Sequence, residues 1–362
     1  MEKGMINSFS RDYSEARDKF LEAANEAGAR VSHHLLGKAG PDGQELATDV
    51  AVIGPDDAEA ALVTLSGTHG VEGFFGSATQ IEWLLRDEAS KLGGAAAVHI
   101  HAINPYGFAW LRRTNEDNVD LNRNWLDFTQ KVPSSPMYDE LADDLCPADW
   151  SAATQARTGA RLHAWAAQHG PGKFQTAVSQ GQWAHRLGLF YGGTEPSWSR
   201  RTLSQILTCH LAKVSRVCLI DFHTGLGPFG YVEPIIGRPR SDPGFARTRS
   251  WIGGAARSIV GDGSVSAEVM ADGLNAIPNL LPAARVDTVA LECGLRPIEG
   301  VLQALRADAW LHGYGDPLAS EAKTIKKLIR DAFHSDEPVW QGMALGQGLA
   351  ACRAALGGLH DG

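Results

Sequence analysis

A glycine-rich segment that follows an apolar strand places the tightest limits on how this chain folds. Residues 61–65 read Ala-Leu-Val-Thr-Leu, an apolar and β-branched run that is typical of a strand. The next residues read Ser-Gly-Thr-His-Gly-Val-Glu-Gly-Phe-Phe-Gly-Ser, and we expect their four glycines to interrupt regular structure. This segment carries His69 and Glu72, whose side chains can reach one point in a flexible turn. Imidazole and carboxylate together suit zinc, so the segment predicts two ligands of a metal site.

Two later strands end in the same manner. Residues 216–222 form an apolar run that leads into His223, and residues 286–291 lead into Glu292, each with glycine close behind. Because ligands gather at the carboxyl ends of strands in open α/β sheets, we expect the polar side chains after these three strands to meet at one edge. For any one of these segments taken alone, an incidental polar residue in a glycine turn is the alternative.

Groups suited to binding an anion are concentrated between residues 104 and 125. They are Arg112, Arg113, Asn122 and Arg123. The planar guanidinium fork of arginine matches a carboxylate in a bidentate manner, which favours a site for a carboxylate-bearing ligand. A solvated, charged loop is the competing interpretation.

Alternating helical and strand patterns run through the rest of the chain. We expect helices at 10–27, 77–92, 138–145, 152–169 and within 316–356, and strands at 31–36, 46–53, 61–65, 95–103, 216–222 and 286–291. No linker-like tract and no internal repeat divides the 362 residues, so we expect a single α/β domain. Residues 127–205 read as a helical and loop insertion whose run 188–198, which includes Tyr191, forms part of a pocket.

Four other histidines lie in predicted strands. His33 and His34 are interpreted as residues of an edge strand, because no carboxylate or cysteine accompanies them at ligand spacing. His99 and His101 alternate, so they share one face of their strand. We expect that face to be half exposed, since a third metal ligand is better supplied elsewhere.

Composition excludes several classes of function. The net charge of −9 argues against nucleic acid as the main partner. No run approaches the ~18 apolar residues of a membrane span, so no membrane association is expected. The five cysteines are scattered without a Cys-x-x-Cys pair, and no apolar segment follows Met1. These features predict a cytoplasmic protein with reduced thiols.

Taken together, His69-x-x-Glu72, the run Asp-Leu-Asn-Arg-Asn-Trp at 120–125, His223 and Glu292 resemble the zinc carboxypeptidase family. This family is the M14 metallopeptidase clan, and its deacylase branch includes succinylglutamate desuccinylase and aspartoacylase. The motifs His-Gly-Val-Glu-Gly and Asp-Phe-His-Thr-Gly look closest to those of the bacterial DUF2817 family. The resemblance covers residues 60–295. It implies a central mixed, mostly parallel twisted sheet flanked by helices, as in zinc carboxypeptidases and phosphorylase/hydrolase-like folds.

The resemblance also implies one Zn²⁺ per chain and a set of residue roles. The ligands would be His69, Glu72 and His223, with Glu292 as the general base. Asp120 would orient His69. Asn122 and Arg123 would hold a carboxylate of the substrate. Arg113 (or Arg112) would polarise the scissile carbonyl. Further contacts would come from the pocket residues Tyr191 and Tyr231.

These roles predict hydrolysis of an amide next to a carboxylate, in a short peptide or an N-acyl amino acid. Classical carboxypeptidases have a mobile tyrosine well before the glutamate, whereas Tyr231 is the only tyrosine between His223 and Glu292 here. This departure leaves an N-acyl-amino-acid deacylase as an alternative. A non-catalytic metal- or ligand-binding module is another. A serine hydrolase that uses Ser66 or Ser77 is a third, although neither lies in a Gly-x-Ser-x-Gly elbow. The sequence leaves the oligomeric state open.

Overall fold

The computed structural model describes residues 8–261, 264, 269–295 and 297–361. Within them, eight strands form one sheet in the order β1-β2-β4-β3-β5-β8-β6-β7. The strands are β1 (Arg30–Ala39), β2 (Glu45–Ile53), β3 (Ala60–Leu65), β4 (Ala96–His101), β5 (Arg216–Gly225), β6 (Val232–Ile236), β7 (Arg257–Ser258) and β8 (Arg285–Gly294). The four central strands β4, β3, β5 and β8 are parallel. The antiparallel pairs are β1–β2, β2–β4 and β6–β8. The predicted mixed, mostly parallel α/β fold is confirmed.

Twelve α-helices in the described part of the chain surround this sheet. They are α1 (Tyr13–Glu26), α2 (Gly73–Leu85), α3 (Pro105–Ala109), α4 (Pro136–Leu145), α5 (Ala152–His169), α6 (Pro171–Ser179), α7 (Trp198–His210), α8 (Pro243–Ile252), α9 (Gly273–Ala276), α10 (Ile298–Tyr314), α11 (Ala322–Phe333) and α12 (Pro338–His360). Helix α10 was not among the helices expected from the sequence. No described helix combines the length and apolar character needed to cross a membrane.

Helices cover both faces of the sheet, which explains why its central strands are continuous apolar runs. On one face, α2 and α12 pack on the even-numbered residues of β5, such as Phe222. On the other face, α7 packs on the odd-numbered residues, such as Leu219. A third apolar cluster joins α4, α5, α6, α10 and α11 above the carboxyl ends of the parallel strands. These helices therefore enclose the edge at which the predicted site residues emerge.

The glycines after β3 act differently from our expectation. Gly67 adopts a φ of +70°, but Gly73 and Gly76 lie inside α2, and Gly70 begins a short 3₁₀ turn. A Cβ on Gly70 would lie 2.0 Å from the carbonyl carbon of Gly107, and one on Gly76 would lie 2.6 Å from the Cβ of Ser66. The predicted break over residues 67–76 is therefore wrong. Close packing excludes side chains here, and it outweighs the roughly 1 kcal/mol by which glycine weakens a helix.

The predicted exposure of His99 and His101 is also wrong. Both side chains are fully buried, because β4 is an inner strand with helices on both sides. His99 Nδ1 lies 2.8 Å from Thr64 Oγ1, and His101 Nε2 lies 2.9 Å from Ser77 Oγ. Burial lowers the pKa of His99 to about 3 and that of His101 to about 4, so both imidazoles are neutral in the folded protein.

This burial predicts acid sensitivity of the fold. The pKa of unfolded histidine is about 6.5, so below that pH the unfolded chain binds protons that His99 and His101 in the folded state do not. Stability should therefore fall as the pH drops from 6.5 towards 4, and each histidine should contribute about 2 kcal/mol of the loss at pH 5. Urea unfolding at pH 7.5 and pH 5.0 measures this loss in the wild type, in His99→Gln and in His101→Gln. Each variant should show a smaller loss, and an unchanged loss would contradict the assignment.

Candidate active site

Three side chains that could bind a metal meet at the carboxyl ends of β3 and β5. His69 precedes the 3₁₀ turn that carries Glu72, while His223 belongs to β5. Glu72 Oε1 lies 2.9 Å from His69 Nδ1, and Glu72 Oε2 lies 3.0 Å from His223 Nδ1. All three side chains are buried, and one donor atom from each lies within 4.8 Å of the other two. The structure thus brings together residues that are 151 positions apart in sequence.

The far nitrogen of each imidazole contacts a buried aspartate. His69 Nε2 lies 3.2 Å from Asp120 Oδ1, and His223 Nε2 lies 2.9 Å from Asp221 Oδ2. A carboxylate holds a proton on the nitrogen it contacts, which leaves the lone pair of the ring on Nδ1. The two Nδ1 atoms are 3.2 Å apart and both face Glu72. Two lone pairs and a carboxylate that converge in this way fit a cation between them.

The charges around these ligands are consistent with a divalent cation. Three buried carboxylates belong to the cluster, those of Glu72, Asp120 and Asp221, and one guanidinium, that of Arg113, contacts it directly. Burial lowers the pKa of His223, but Asp221 and Glu72 outweigh this effect and hold that pKa well above its usual value, so this imidazole must give up its proton for a cation to bind. With both imidazoles neutral, as metal ligands must be, the set carries two surplus negative charges. Burial alone raises the pKa of Asp120, but the neighbouring Arg113, the hydrogen-bonded His69 and Arg123 outweigh it and hold that pKa well below its usual range. The Asp120 carboxylate is therefore ionised, and a Zn²⁺ ion would balance the two surplus charges.

Arg113 lies in the cavity beside the ligands, but Arg112 does not. The Arg113 Nε donates to Asp120 Oδ2 at 2.8 Å, its Nη1 donates to Glu72 Oε1 at 3.1 Å, and its guanidinium stacks on Phe190. Arg112 instead points towards α10, where it pairs with Asp308 at 3.4 Å and donates to Asn118 Oδ1 at 2.7 Å. The structure thus separates the two neighbouring arginines and leaves only Arg113 close to the ligands.

Glu292 extends from β8 into the same cavity, in register with His223 on β5. Its Oε1 accepts a hydrogen bond from the backbone N–H of Leu226 at 3.0 Å. Burial and the charge of Glu72 raise the pKa of Glu292 to about 7, against the smaller opposing effects of His223, Leu226 and Arg113. A cation held by the ligands would favour its ionised form. A carboxylate with a pKa near neutrality is suited to exchanging protons with a reacting group.

Asn122 and Arg123 also line this cavity, and each is oriented by backbone groups. The N–H of Gly273 donates to Asn122 Oδ1 at 3.3 Å, which turns the amide nitrogen of Asn122 away from that contact. The guanidinium of Arg123 donates to the carbonyl of Ser179 at the end of α6, through Nε at 3.0 Å. Among the described residues, the carboxylate nearest to Arg123 is that of Asp120, at 4.0 Å. Burial lowers the pKa of Arg123 to about 10, which leaves it cationic.

The cavity that contains these groups has a volume of about 570 Å³, within the range of small-molecule sites. Helices α5 and α6 and the residue Phe190, all within the predicted insertion at 127–205, contribute to its wall. Helix α10 contributes apolar residues such as Val301 to the remaining wall, together with polar ones such as Glu299, and Phe333 at the end of α11 adds to it. Apolar residues near the end of β8, such as Ile235 and Leu274, complete it. A polar, charged floor therefore faces a mostly apolar wall.

Four other predicted residues lie outside this cavity. The backbone carbonyl of Tyr191 accepts from the N–H of Asp120 at 2.8 Å, but its buried side chain is not part of the wall. Tyr231 is 37% exposed and also lies outside the wall. Ser66 and Ser77 are buried. The Oγ of Ser66 accepts from the backbone N–H of Ala102 at 3.1 Å, and the Oγ of Ser77 lies 2.9 Å from His101 Nε2. The tyrosines and serines thus lie apart from the His-Glu-His cluster.

Sequence reasoning missed Asp221, which contacts the far nitrogen of His223. The signal for it was present, because residues two apart in a strand share one face, and Asp221 precedes His223 by two in β5. Thr68 Oγ1 donates to Asp221 Oδ1 at 2.8 Å. This hydrogen bond links the segment after β3 to β5.

Solved structures show which fold the chain shares. A metallo-carboxypeptidase from Burkholderia cenocepacia superposes on 95% of this chain with a TM-score of 0.50, and 68% of that protein is covered at 12% identity. Carboxypeptidase A from Helicoverpa armigera superposes on 96% of this chain with a TM-score of 0.48, and 74% of it is covered at 13% identity. At such low identity the similarity concerns the fold alone.

Among curated proteins, none matches this chain. The family model described as "Protein of unknown function (DUF2817)" matches residues 9–347. This match extends over nearly all of the 362 residues, including every side chain of the cluster described above. The chain belongs to the DUF2817 family and has the fold of the metallo-carboxypeptidases.

Proposed function

We propose that this protein is a zinc-dependent hydrolase that cleaves an amide bond next to a carboxylate. The observation that carries this proposal is the convergence of His69, Glu72 and His223 on one point, with Glu292 in the same cavity. Both imidazoles are held by aspartates, which is the usual support of a metal-binding histidine. A pure binding module has no use for a carboxylate such as Glu292, whose pKa is near neutrality.

A zinc ion held by these three ligands would supply a Lewis acid and make water nucleophilic at neutral pH. Glu292 then takes the proton from the attacking water on Oε2, because its Oε1 already accepts from Leu226. Glu292 passes that proton to the nitrogen of the departing amine. Arg113 has N–H groups beyond those that bind Asp120 and Glu72, and it stabilises the negative charge that develops on the carbonyl oxygen.

Asn122 and Arg123 bind the carboxylate of the substrate in this proposal. The amide nitrogen of Asn122 remains available as a donor because Gly273 engages its oxygen. The guanidinium of Arg123 keeps N–H groups beyond those directed at Ser179 and Asn122. A buried arginine whose nearest acid in the described part of the chain is 4.0 Å away gains from an anionic ligand.

Two substrate classes share this chemistry, a C-terminal peptide bond and an N-acyl amino acid. The position of Tyr231 favours the second, because a tyrosine outside the cavity wall is not placed to contact a peptide. Side-by-side assays of blocked dipeptides and N-acyl amino acids separate the two classes.

We expect about one Zn²⁺ per chain and a sharp loss of zinc on removal of any ligand. His69→Ala and His223→Ala should each lower zinc affinity by several orders of magnitude, while the large apolar core keeps the chain folded. Elemental analysis after dialysis against a chelator and measured zinc checks this expectation. His210→Ala, which changes an exposed histidine on α7, is the control. Wild-type protein that neither contains nor takes up a divalent transition metal would refute the proposal.

Removal of the proposed general base should lower kcat strongly and leave the zinc content unchanged. Glu292→Gln keeps the shape of the side chain and its acceptor for Leu226, but it cannot take a proton. We expect unchanged zinc content and a decrease in kcat of at least ~10²-fold. Glu299→Gln, a matched change at another residue of the cavity wall, should have a small effect. If the Glu292→Gln protein retained near wild-type turnover with chemistry rate-limiting, another group would be the base.

Recognition of the carboxylate can be tested with a substrate amide. Asn122→Asp keeps the acceptor for Gly273 but replaces the free donor by a negative charge. It should lower kcat/KM for the free acid by ~10²-fold, about 3 kcal/mol, and affect the carboxamide analogue much less. Arg123→Ala combined with amidation should give non-additive losses. Additive losses in both cycles would mean that the two residues are structural.

A further inference from the structure

A second groove of about 500 Å³ adjoins the proposed active site. We call it the rim groove, and its apolar lining consists of Leu226, Pro228, Phe229, Leu295, Pro297 and Ile298. Among the described residues that line it, only Gln175 of α6 has a polar side chain. Gln175, Leu226 and Ile298 also belong to the wall of the active-site cavity, so the two spaces are continuous.

One end of the rim groove begins at the proposed general base. The N–H of Leu226 donates to Glu292 Oε1 at 3.0 Å, and the side chain of Leu226 lines the groove. A substrate whose scissile carbonyl lies beside Glu292 therefore has one of its two halves at the entrance to the groove. The structure also indicates which half this is.

Asn122 and the rim groove are supported from opposite faces of the sheet. Asn122 is held by Gly273 of α9, and α9 is anchored on the α7 side of the sheet by the hydrogen bond from Thr288 Oγ1 to the carbonyl of Leu274. Gly230, which follows Phe229 of the rim groove, lies against α12, since a Cβ on Gly230 would lie 2.8 Å from Met343 Sδ. Helix α12 packs on the other face. With the carboxylate at Asn122, the acyl half extends into the rim groove.

Four residues of the rim groove have no backbone N–H available to a peptide. Pro228 and Pro297 have no N–H, that of Leu226 is engaged by Glu292, and that of Leu295 donates to the carbonyl of Gly225 at 3.3 Å. A peptide carbonyl that faces these four residues would lose water without gaining a donor, which is costly. A hydrocarbon has no such groups. Phe229 and Ile298 are 42% and 41% exposed, so apolar area is available for a ligand to cover.

We propose that the rim groove binds the hydrocarbon chain of the substrate's acyl group, so that the substrate is an N-acyl amino acid with a long apolar chain. This inference rests on the proposed function for the orientation of the substrate. It makes acyl-chain length, and not the side chain of the amino acid alone, a determinant of specificity. Short acyl groups such as acetyl leave the groove empty and gain nothing from it.

Binding to the Glu292→Gln protein tests the proposal without relying on turnover. Isothermal titration of the zinc-loaded protein with N-acetyl-, N-octanoyl- and N-dodecanoylglycine measures affinity, with all ligands below their micelle concentrations. We expect affinity to rise about twofold to fourfold for each methylene that enters the groove. The heat-capacity change should become more negative with chain length, as burial of apolar surface requires. Equal affinities for the acetyl and dodecanoyl ligands would overturn the proposal.

Substitutions locate the bound chain. Phe229→Ser and Ile298→Ser, made in the Glu292→Gln background, should each reduce the ratio of dodecanoyl to acetyl affinity by at least fivefold. Leu318→Ser, which changes an apolar residue that is 66% exposed away from the groove, is the matched control and should preserve the ratio. Circular dichroism and thermal unfolding verify that each variant is folded. A chain-length effect that persists in both groove variants would overturn the proposal.

The same ligands distinguish failure of the groove assignment from failure of the proposed function. Hydrolysis of N-dodecanoylglycine by the wild-type protein, followed as released glycine, reports on the function. Chain-dependent binding without hydrolysis would support the groove and refute the enzyme. Hydrolysis of N-acetylglycine and N-dodecanoylglycine with the same kcat/KM would support the enzyme and refute the groove.

Discussion

The Glu72 carboxylate lies between two imidazole nitrogens, and much of the surrounding structure serves to hold this contact. Its oxygens are 2.9 Å from His69 Nδ1 and 3.0 Å from His223 Nδ1. Buried charge is costly unless it is paired and hydrogen-bonded. Here Arg113 pairs with Glu72 and Asp120, while Asp120 and Asp221 contact the far nitrogens of the two imidazoles. The cluster draws on the segments that follow β3 and β4 and on β5 itself, so it forms only when the central strands align.

Close backbone packing makes that alignment possible. Gly70 lies against Gly107, and the backbone N–H of Val71 donates to the carbonyl of Arg112 at 2.9 Å. The turn that carries His69 and Glu72 is thereby tied to the segment that carries Arg113. The guanidinium of Arg123, in turn, binds the end of α6 at Ser179. Hydrogen bonds thus link the polar floor of the cavity to helix α6 in its wall.

This connection gives the proposed substrate two different environments. The carboxylate side meets oriented donors that are held by backbone groups, while the acyl side meets apolar side chains and prolines. Polar donors provide orientation, and apolar area provides affinity that grows with the surface covered. A carboxypeptidase fold with this division of surface is suited to amides whose two halves differ strongly in polarity.

The sequence by itself determined the strand ends and the types of group that they deliver. Apolar runs before His69, His223 and Glu292 predict buried strands, and parallel strands place their carboxyl ends at one edge, so the meeting of these residues follows from local pattern and topology. Only the tertiary structure placed Arg113, and not Arg112, beside the cluster, because adjacent residues with the same side chain carry no local signal of direction. It also decided that Gly70 and Gly76 serve close packing, and that His99 is buried. Such properties depend on neighbours that are remote in sequence, and the period of a single strand or helix contains no information about them.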